Sequence, residues 1–234
     1  KTLKKQDKLA EKEFFDKHRK KHGSYKVFPD QEYRRIISYL FGEKHGMKVL
    51  SVGCGSGEFE KFIQNQGNSV VGIDISDELV KIARSQGIDA EICDVRSLCF
   101  KDGSFDACFC GAVLHHVPNE IEITLKEIHR VLKSEGKFLV FEPNMNLCNW
   151  VFLPLGRLWG TRTQNERPFV LKKFEKKVIK AGFDISKVVR LRNAVILENS
   201  FISSFIYKLS KLLFNHLPFV DKDEFFLTEA IKKS

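Results

Sequence analysis

The chain has 234 residues, 43% of them hydrophobic and 29% charged, with a formal net charge of +9. That length buries a full core and suits one domain with additions, and the composition is that of an ordinary soluble globular protein. No run of about 18 uncharged apolar residues is present, which excludes a helical membrane span. The Lys-rich N-terminus lacks an apolar stretch and is not expected to be a signal peptide. Nine basic residues precede Gly23, among them Lys1, Lys8, Lys12, Lys17 and Arg19. Such a run can meet nucleic acid or anionic lipid, but a solvated helix face is the reading preferred. The six cysteines (54, 93, 99, 108, 110 and 148) form no CxxC pair. They read as reduced thiols of a cytosolic protein, and no metal site is expected.

Residues Leu9 to Arg19 suit a helix with Phe14 and Phe15 as its buried edge, and Tyr33 to Phe41 has helical apolar spacing. A β/α alternation then begins. Strand 1 is expected over Lys48–Val52, followed by a helix from Glu58 to Gln66 with Phe59, Phe62 and Ile63 inward and Gly67 as its stop. Strand 2 is Ser69–Asp74. The next helix starts near Ser76, with Asp77 and Glu78 in its first turn, where the helix dipole favours acids. Strands 3 and 4 are Ala90–Asp94 and Phe105–Cys110, which places Cys108 and Cys110 on one side. Asn119 to Lys133 reads as a helix with Ile121, Leu125, Ile128 and Leu132 on one face, capped by Gly136. Strand 5 is Lys137–Glu142, a helix covers Leu171–Ala181, strand 6 is Phe183–Leu191, and a last strand is Phe225–Ile231. Apolar strands separated by single helices imply a mostly parallel sheet covered on both faces.

The sharpest signal is VLSVGCGSGEF over Val49–Phe59, followed by Asp74 at the end of SVVGID. Glycines at 53, 55 and 57 let the backbone turn tightly and approach a ligand. A carboxylate about 20 residues later is where an α/β nucleotide site needs an acceptor for ribose hydroxyls. The dehydrogenase fingerprint has its third glycine where this chain has Glu58, and an acid at that helix start would repel a pyrophosphate. A cofactor without phosphates fits better. Asp74 could also serve as a helix cap, and Asp94 as a turn residue.

These motifs resemble those of the class I S-adenosylmethionine-dependent methyltransferases, of the small-molecule group, over roughly Lys48 to Glu142. VLSVGCGSGEF is similar to the family's first motif, VVGIDIS to the second, ICDVRSL to the adenine-contacting segment, FDACFCGAVLHHVP to the fourth-strand motif, and IHRVLKSEGKFLVFEPN to the helix, turn and strand that follow. The resemblance implies S-adenosylmethionine as cofactor and S-adenosylhomocysteine as product. Gly53, Cys54, Gly55 and Gly57 would line the methionine part together with Cys110, Gly111 and Ala112. Asp74 would bind the ribose, Ile75 would pack under the adenine, and Asp94 and Val95 would contact it. Tyr25 would lie over the methionine end. The implied fold is a Rossmann-like sheet of seven strands in the order 3-2-1-4-5-7-6, with helices on both faces and strand 7 antiparallel. It forms a single domain: a helical extension (1–45), a cofactor-binding core (46–142), and substrate-side covers at 143–169 and 195–222.

Methyl transfer from a sulfonium is an in-line displacement that needs alignment and exclusion of water, and a base only if the nucleophile must lose a proton. His115 and His116 are the catalytic candidates. Glu142 and Asn144 end strand 5 at the ligand edge as candidate substrate contacts, and Arg157, Arg162 and Arg167 could bind an acidic group of the acceptor. The expected acceptor is a small molecule or a lipid- or glycan-linked metabolite. The fourth-strand motif lacks the Asn/Asp-Pro-Pro-aromatic signature of amino-methylating nucleic-acid enzymes, so nucleic acid is disfavoured. An RNA methyltransferase and a non-catalytic cofactor-binding module are the alternatives. The amphipathic segment 199–221 could be a lid, a homodimer contact or a membrane-surface contact. A cytoplasmic location, with membrane association left open, completes the expectation.

Overall fold

A computed structural model describes residues 9–17, 36, 38, 39, 41, 42, 44–145, 154, 158, 163, 165–191 and 225–233. Residues 9–17 form helix α1. The alternating part runs β1 (Lys48–Val52), α2 (Glu58–Asn65), β2 (Ser69–Asp74), α3 (Asp77–Ser85), β3 (Asp89–Ile92), β4 (Phe105–Gly111), a 3-10 turn (Leu114–His116), α4 (Ile121–Val131), β5 (Leu132–Pro143), α5 (Leu171–Lys180), β6 (Phe183–Leu191) and β7 (Phe225–Lys232). The seven strands form one sheet in the order β3-β2-β1-β4-β5-β7-β6. β7 is antiparallel to both β5 and β6, and the remaining pairs are parallel. This is the Rossmann-like arrangement that the family resemblance implied.

The strands are apolar on both faces because both faces are covered. Leu50, Val52, Cys108, Cys110, Phe138 and Val140 point to one side, where Leu125 and Ile128 of α4 and Phe174 and Val178 of α5 meet them. Val49, Phe109, Leu139 and Phe141 point to the other side, against Phe59 and Ile63 of α2 and against Ile36 and Phe41. Cys108 and Cys110 thus share a face, and the five described cysteines are free thiols. Ser76 caps α3 by accepting the Leu79 N–H at 3.2 Å. Among the described residues no helix is long and apolar enough to cross a membrane.

Several boundaries differ from the sequence reading, most by one or two residues, and the larger shifts have local causes. Helix α4 stops at Val131, not Lys133, because Leu132 turns extended (φ −76°, ψ 142°) and pairs with Phe105. The reversal then uses Glu135 at φ 58° and a tight approach at Gly136, where an added Cβ would meet the Lys133 carbonyl oxygen at 2.8 Å. Gly136 therefore lies within β5 and caps no helix. β3 ends at Ile92 because Asp94 pairs locally with Ser97. In α1 the buried residue is Glu11, while Phe14 and Phe15 are half-buried. The segment 199–221, Tyr25, and Arg157 and Arg162 lie outside the described residues.

Phe138 is fully buried at the centre of the larger core and packs against Phe183 with ring centroids 5.3 Å apart. Truncation to alanine leaves a cavity that this central strand is poorly placed to close. Phe138→Ala should destabilise the chain by about 3–5 kcal/mol in urea unfolding.

Candidate functional site

The strand order reverses between β1 and β4, and in such sheets the crevice beyond the carboxyl ends at that point holds the ligand. The glycine loop leaves β1 there. The Gly53 and Cys54 N–H groups both donate to the Ile73 carbonyl, at 2.7 and 3.0 Å, which folds the loop over the end of β2. Gly53 has φ +71°, and a Cβ on it would lie 2.1 Å from Val113 Cγ2. Gly55 also has positive φ (+56°), yet a Cβ there would meet nothing within 4 Å. One glycine is demanded by close packing and the next faces open space. Gly57, at φ +87°, is the N-cap of α2.

Asp74 accepts the Gly55 N–H on Oδ2 at 3.0 Å and the Ser76 N–H on Oδ1 at 2.9 Å, so its carboxylate closes over the loop. Burial raises its pKa, against the lowering effect of those backbone donors. Ile75, just after β2, is half-buried, and Val95, three residues past β3, is buried. Asp94 is gripped by Arg96, whose Nε and Nη2 donate to its two oxygens at 3.0 and 2.9 Å. Its carboxylate is therefore held in place by its own neighbour. Cys110 is fully buried, and Gly111 leads into Ala112, a non-glycine residue at φ 57°. Behind the loop lies Glu60, almost fully buried, taking the Ser51 hydroxyl on Oε1 at 2.5 Å. Burial pushes the Cys54 thiol far above its usual range, with Glu60 and Asp74 adding to the effect, so Cys54 stays protonated.

The facing wall is built on Glu142, which is fully buried at the end of β5. Its Oε1 accepts the N–H groups of Val113 and Leu114 at 2.9 and 2.7 Å, and its Oε2 accepts the His115 N–H at 3.3 Å and lies 2.7 Å from His115 Nδ1. A carboxylate surrounded by donors acts as an acceptor, so the Nδ1–H donates to Glu142 and Nε2 is directed away from it. Glu142 thus stands behind His115 and orients it. His115 Nε2 lies 3.8 Å from Glu166 Oε1. His116 Nδ1 lies 3.1 Å from Thr163 Oγ1 and 3.2 Å from Glu11 Oε2. Burial would depress the His116 pKa, but Glu11, with help from Glu166 and Glu142, outweighs it and holds the imidazole above its ordinary value. Asn144 is buried at the end of β5 and pairs with Phe169.

Helix α1 joins the two walls. Lys12 Nζ meets Asp77 Oδ2 at 2.6 Å, Asp16 takes the Ser76 hydroxyl, and Glu11 reaches His116, whose ring packs edge-on against Phe15. Sequence reasoning treated α1 as a solvated face. Glu11, Asp16, Thr163 and Glu166 reach the site only through long-range packing, and no local spacing marks them.

A family described as "Methyltransferase domain" matches residues 50–140. The chain is 36% identical over 109 residues to the tRNA (carboxymethyluridine(34)-5-O)-methyltransferase alkbh8 of Xenopus tropicalis, covering 46% of this chain and 17% of that protein. It is 37% identical over 137 residues to the ubiquinone biosynthesis O-methyltransferase of Xanthomonas oryzae pv. oryzae, covering 53% of this chain and 57% of that protein. Among solved structures it resembles the phosphoethanolamine N-methyltransferase 2 of Haemonchus contortus in complex with S-adenosyl-L-methionine. That match has a TM-score of 0.72 at 18% identity and covers 97% of this chain and 57% of that one. The matches cover 17% and 57% of the length of these relatives, and the structural likeness speaks for the fold alone.

Glu60 makes the loop's stability depend on pH. Burial raises its pKa from 4.5 to about 7, the Ser51 hydroxyl opposing and Asp74 adding to the rise. The folded state holds the proton more tightly than the unfolded chain. The group's stabilising contribution is therefore complete below the lower value and is lost as pH rises through the upper one. Glu60→Gln should flatten the fall in stability between pH 4.5 and about 7, measured by thermal unfolding across that range.

Proposed function

We propose that this chain is a class I S-adenosylmethionine-dependent methyltransferase, a reading supported by the domain match over residues 50–140 and by the strand order, and that it transfers a methyl group to a small-molecule or lipid- or glycan-linked acceptor. The observation that carries this reading is one crevice with two unlike walls. A glycine loop closed by Asp74 forms one wall, and an imidazole backed by a buried carboxylate forms the other.

The residues present fit the cofactor. The Gly53 cradle admits no Cβ, Gly55 opens onto free space, and Asp74 offers two oxygens at the end of β2. When bound, S-adenosylmethionine supplies a methyl carbon already activated by its sulfonium charge. In this reading Asp74 accepts the ribose hydroxyls, and Ile75, Asp94 and Val95 flank the base. The Gly53–Gly57 backbone and the turn at Cys110 and Gly111 receive the amino-acid part. Glu58, at the start of α2, suits a cation better than a diphosphate. Tyr25 is assigned to the methionine end by family resemblance alone.

His115 meets the acceptor. With Nδ1 held by Glu142, its Nε2 takes the proton of an acceptor hydroxyl as the oxygen bonds to carbon. His116, Asn144 and the basic side chains Arg157, Arg162 and Arg167 are proposed to shape acceptor binding. Helix α1 covers the crevice and excludes water. A second reading is supported by the tRNA-modifying relative and the +9 charge: an RNA acceptor bound through the basic N-terminus. RNA affinity that falls steeply with salt would favour it.

Two variants test the assignment. Asp74→Ala should lower the calorimetric affinity for S-adenosylmethionine at least about tenfold, since hydrogen bonds to a charged group contribute ~1.5–3 kcal/mol. Thermal unfolding of the variant controls for folding, and unchanged affinity in a folded alanine variant refutes the ribose role. His115→Ala should leave cofactor affinity nearly intact while slowing transfer to a hydroxyl acceptor by about 10²–10⁴-fold in a methyl-transfer assay.

A further inference from the structure

The acceptor wall gathers more donor atoms than proton transfer needs. His115, His116 and Glu166 each offer one ligand atom, and these atoms all lie within 4.8 Å of one another. Two imidazoles and a carboxylate are a donor set for borderline divalent ions such as Zn²⁺ or Co²⁺. The three come from separate parts of the chain, the turn after β4 and the stretch before α5, and His115 and Glu166 are both buried.

Two further features go beyond mere proximity. The first is the carboxylate behind each ring. Glu142 fixes the His115 tautomer through Nδ1, leaving Nε2 for a ligand, and this carboxylate–histidine arrangement is the usual support of a metal-binding imidazole. Glu11 stands at 3.2 Å from His116 Nδ1. The second is that Glu11, Glu142 and Glu166, all buried, approach the two imidazoles at this one wall. Buried carboxylates gathered in this way favour positive charge among them.

We propose that His115, His116 and Glu166 form a site for one divalent transition-metal ion, with Glu142 and Glu11 as the carboxylates that orient the two imidazoles. Bond lengths of ~2.0–2.2 Å require the donors to close by about an ångström, within the range of side-chain rotation. Three protein ligands leave a fourth position open for a ligand from outside the chain. The inference deepens the methyl-transfer reading and depends on it only for the acceptor's position. In the loaded site Nε2 of His115 would be a ligand and no longer a proton acceptor; the ion would instead acidify a coordinated acceptor hydroxyl, whose proton would pass to solvent before the oxygen takes the methyl group. The acceptor class this selects is an oxygen nucleophile.

The test uses the full chain, stripped with chelator and titrated with Co²⁺ while its visible d–d absorption is followed. Zn²⁺ displacement and calorimetric S-adenosylmethionine binding are measured on the same samples. One Co²⁺ per chain is expected, displaced by Zn²⁺. His115→Ala and the near-isosteric Glu166→Gln should each weaken it at least about tenfold, and Glu142→Gln by about 10–100-fold. Cofactor affinity should stay unchanged in the Glu166 variant, which also shows that the variant is folded. Substoichiometric binding, binding indifferent to Glu166→Gln, or a signal abolished by Cys99→Ser overturns the metal site. Loss of S-adenosylmethionine binding by the unmutated chain would instead overturn the methyl-transfer reading and leave the metal result standing.

Discussion

A single buried carboxylate couples the two walls of the crevice. Glu142 accepts three backbone N–H groups from residues 113–115 and the ring of His115. It thereby sets the path of the chain after β4. That path carries Val113 into the space where a Cβ on Gly53 would sit. The same anchor that orients the imidazole therefore forces a glycine into the loop opposite. Fully satisfied buried networks of this kind are rigid, and breaking one member leaves costly unpaired groups. Ala112, held at φ 57° with its N–H bonded to the Phe141 carbonyl, is the local strain that this arrangement tolerates.

The sheet gives those residues a fixed frame. β1, β4 and β5 lie side by side at its centre, buried on both faces, and the loops at their carboxyl ends inherit that rigidity. Helix α1 behaves differently. It is tied to α3 through Lys12 and Asp16 and to the histidine wall through Glu11. Its contacts to the site are mostly polar, the edge-on packing of Phe15 on His116 being aromatic, so it adds little apolar core. The charge of the site is also uneven: acids crowd the histidines, while the glycine loop meets its partners mainly through backbone groups.

Much of the frame was legible in the sequence, since apolar runs such as KVLSV and SVVGID can only be short buried strands and the glycine spacing marks the loop between them. Strands β1, β2 and β6 fall where the pattern puts them. The order of the strands came from family resemblance, because periodicity says nothing about which strands are neighbours. The early end of α4 was missed because Leu132 continues a helical apolar stripe and yet is claimed by pairing with Phe105. Glu142 was read as an acceptor contact. Its place behind His115 depends on a bond across 27 residues that no local pattern encodes. Glu11 and Glu60 look like ordinary solvated helix acids in sequence and are buried by tertiary packing. The acceptor side is the least legible part, because its residues come from segments with no periodic signature.

The central claim is that the crevice is shaped for a phosphate-free sulfonium nucleoside. Native mass spectrometry of the purified chain, mixed separately with S-adenosylmethionine, S-adenosylhomocysteine and NAD, tests it most directly. The account predicts one molecule of either adenosyl compound per chain and no retention of NAD. Retention of NAD, or of none of the three, would contradict it.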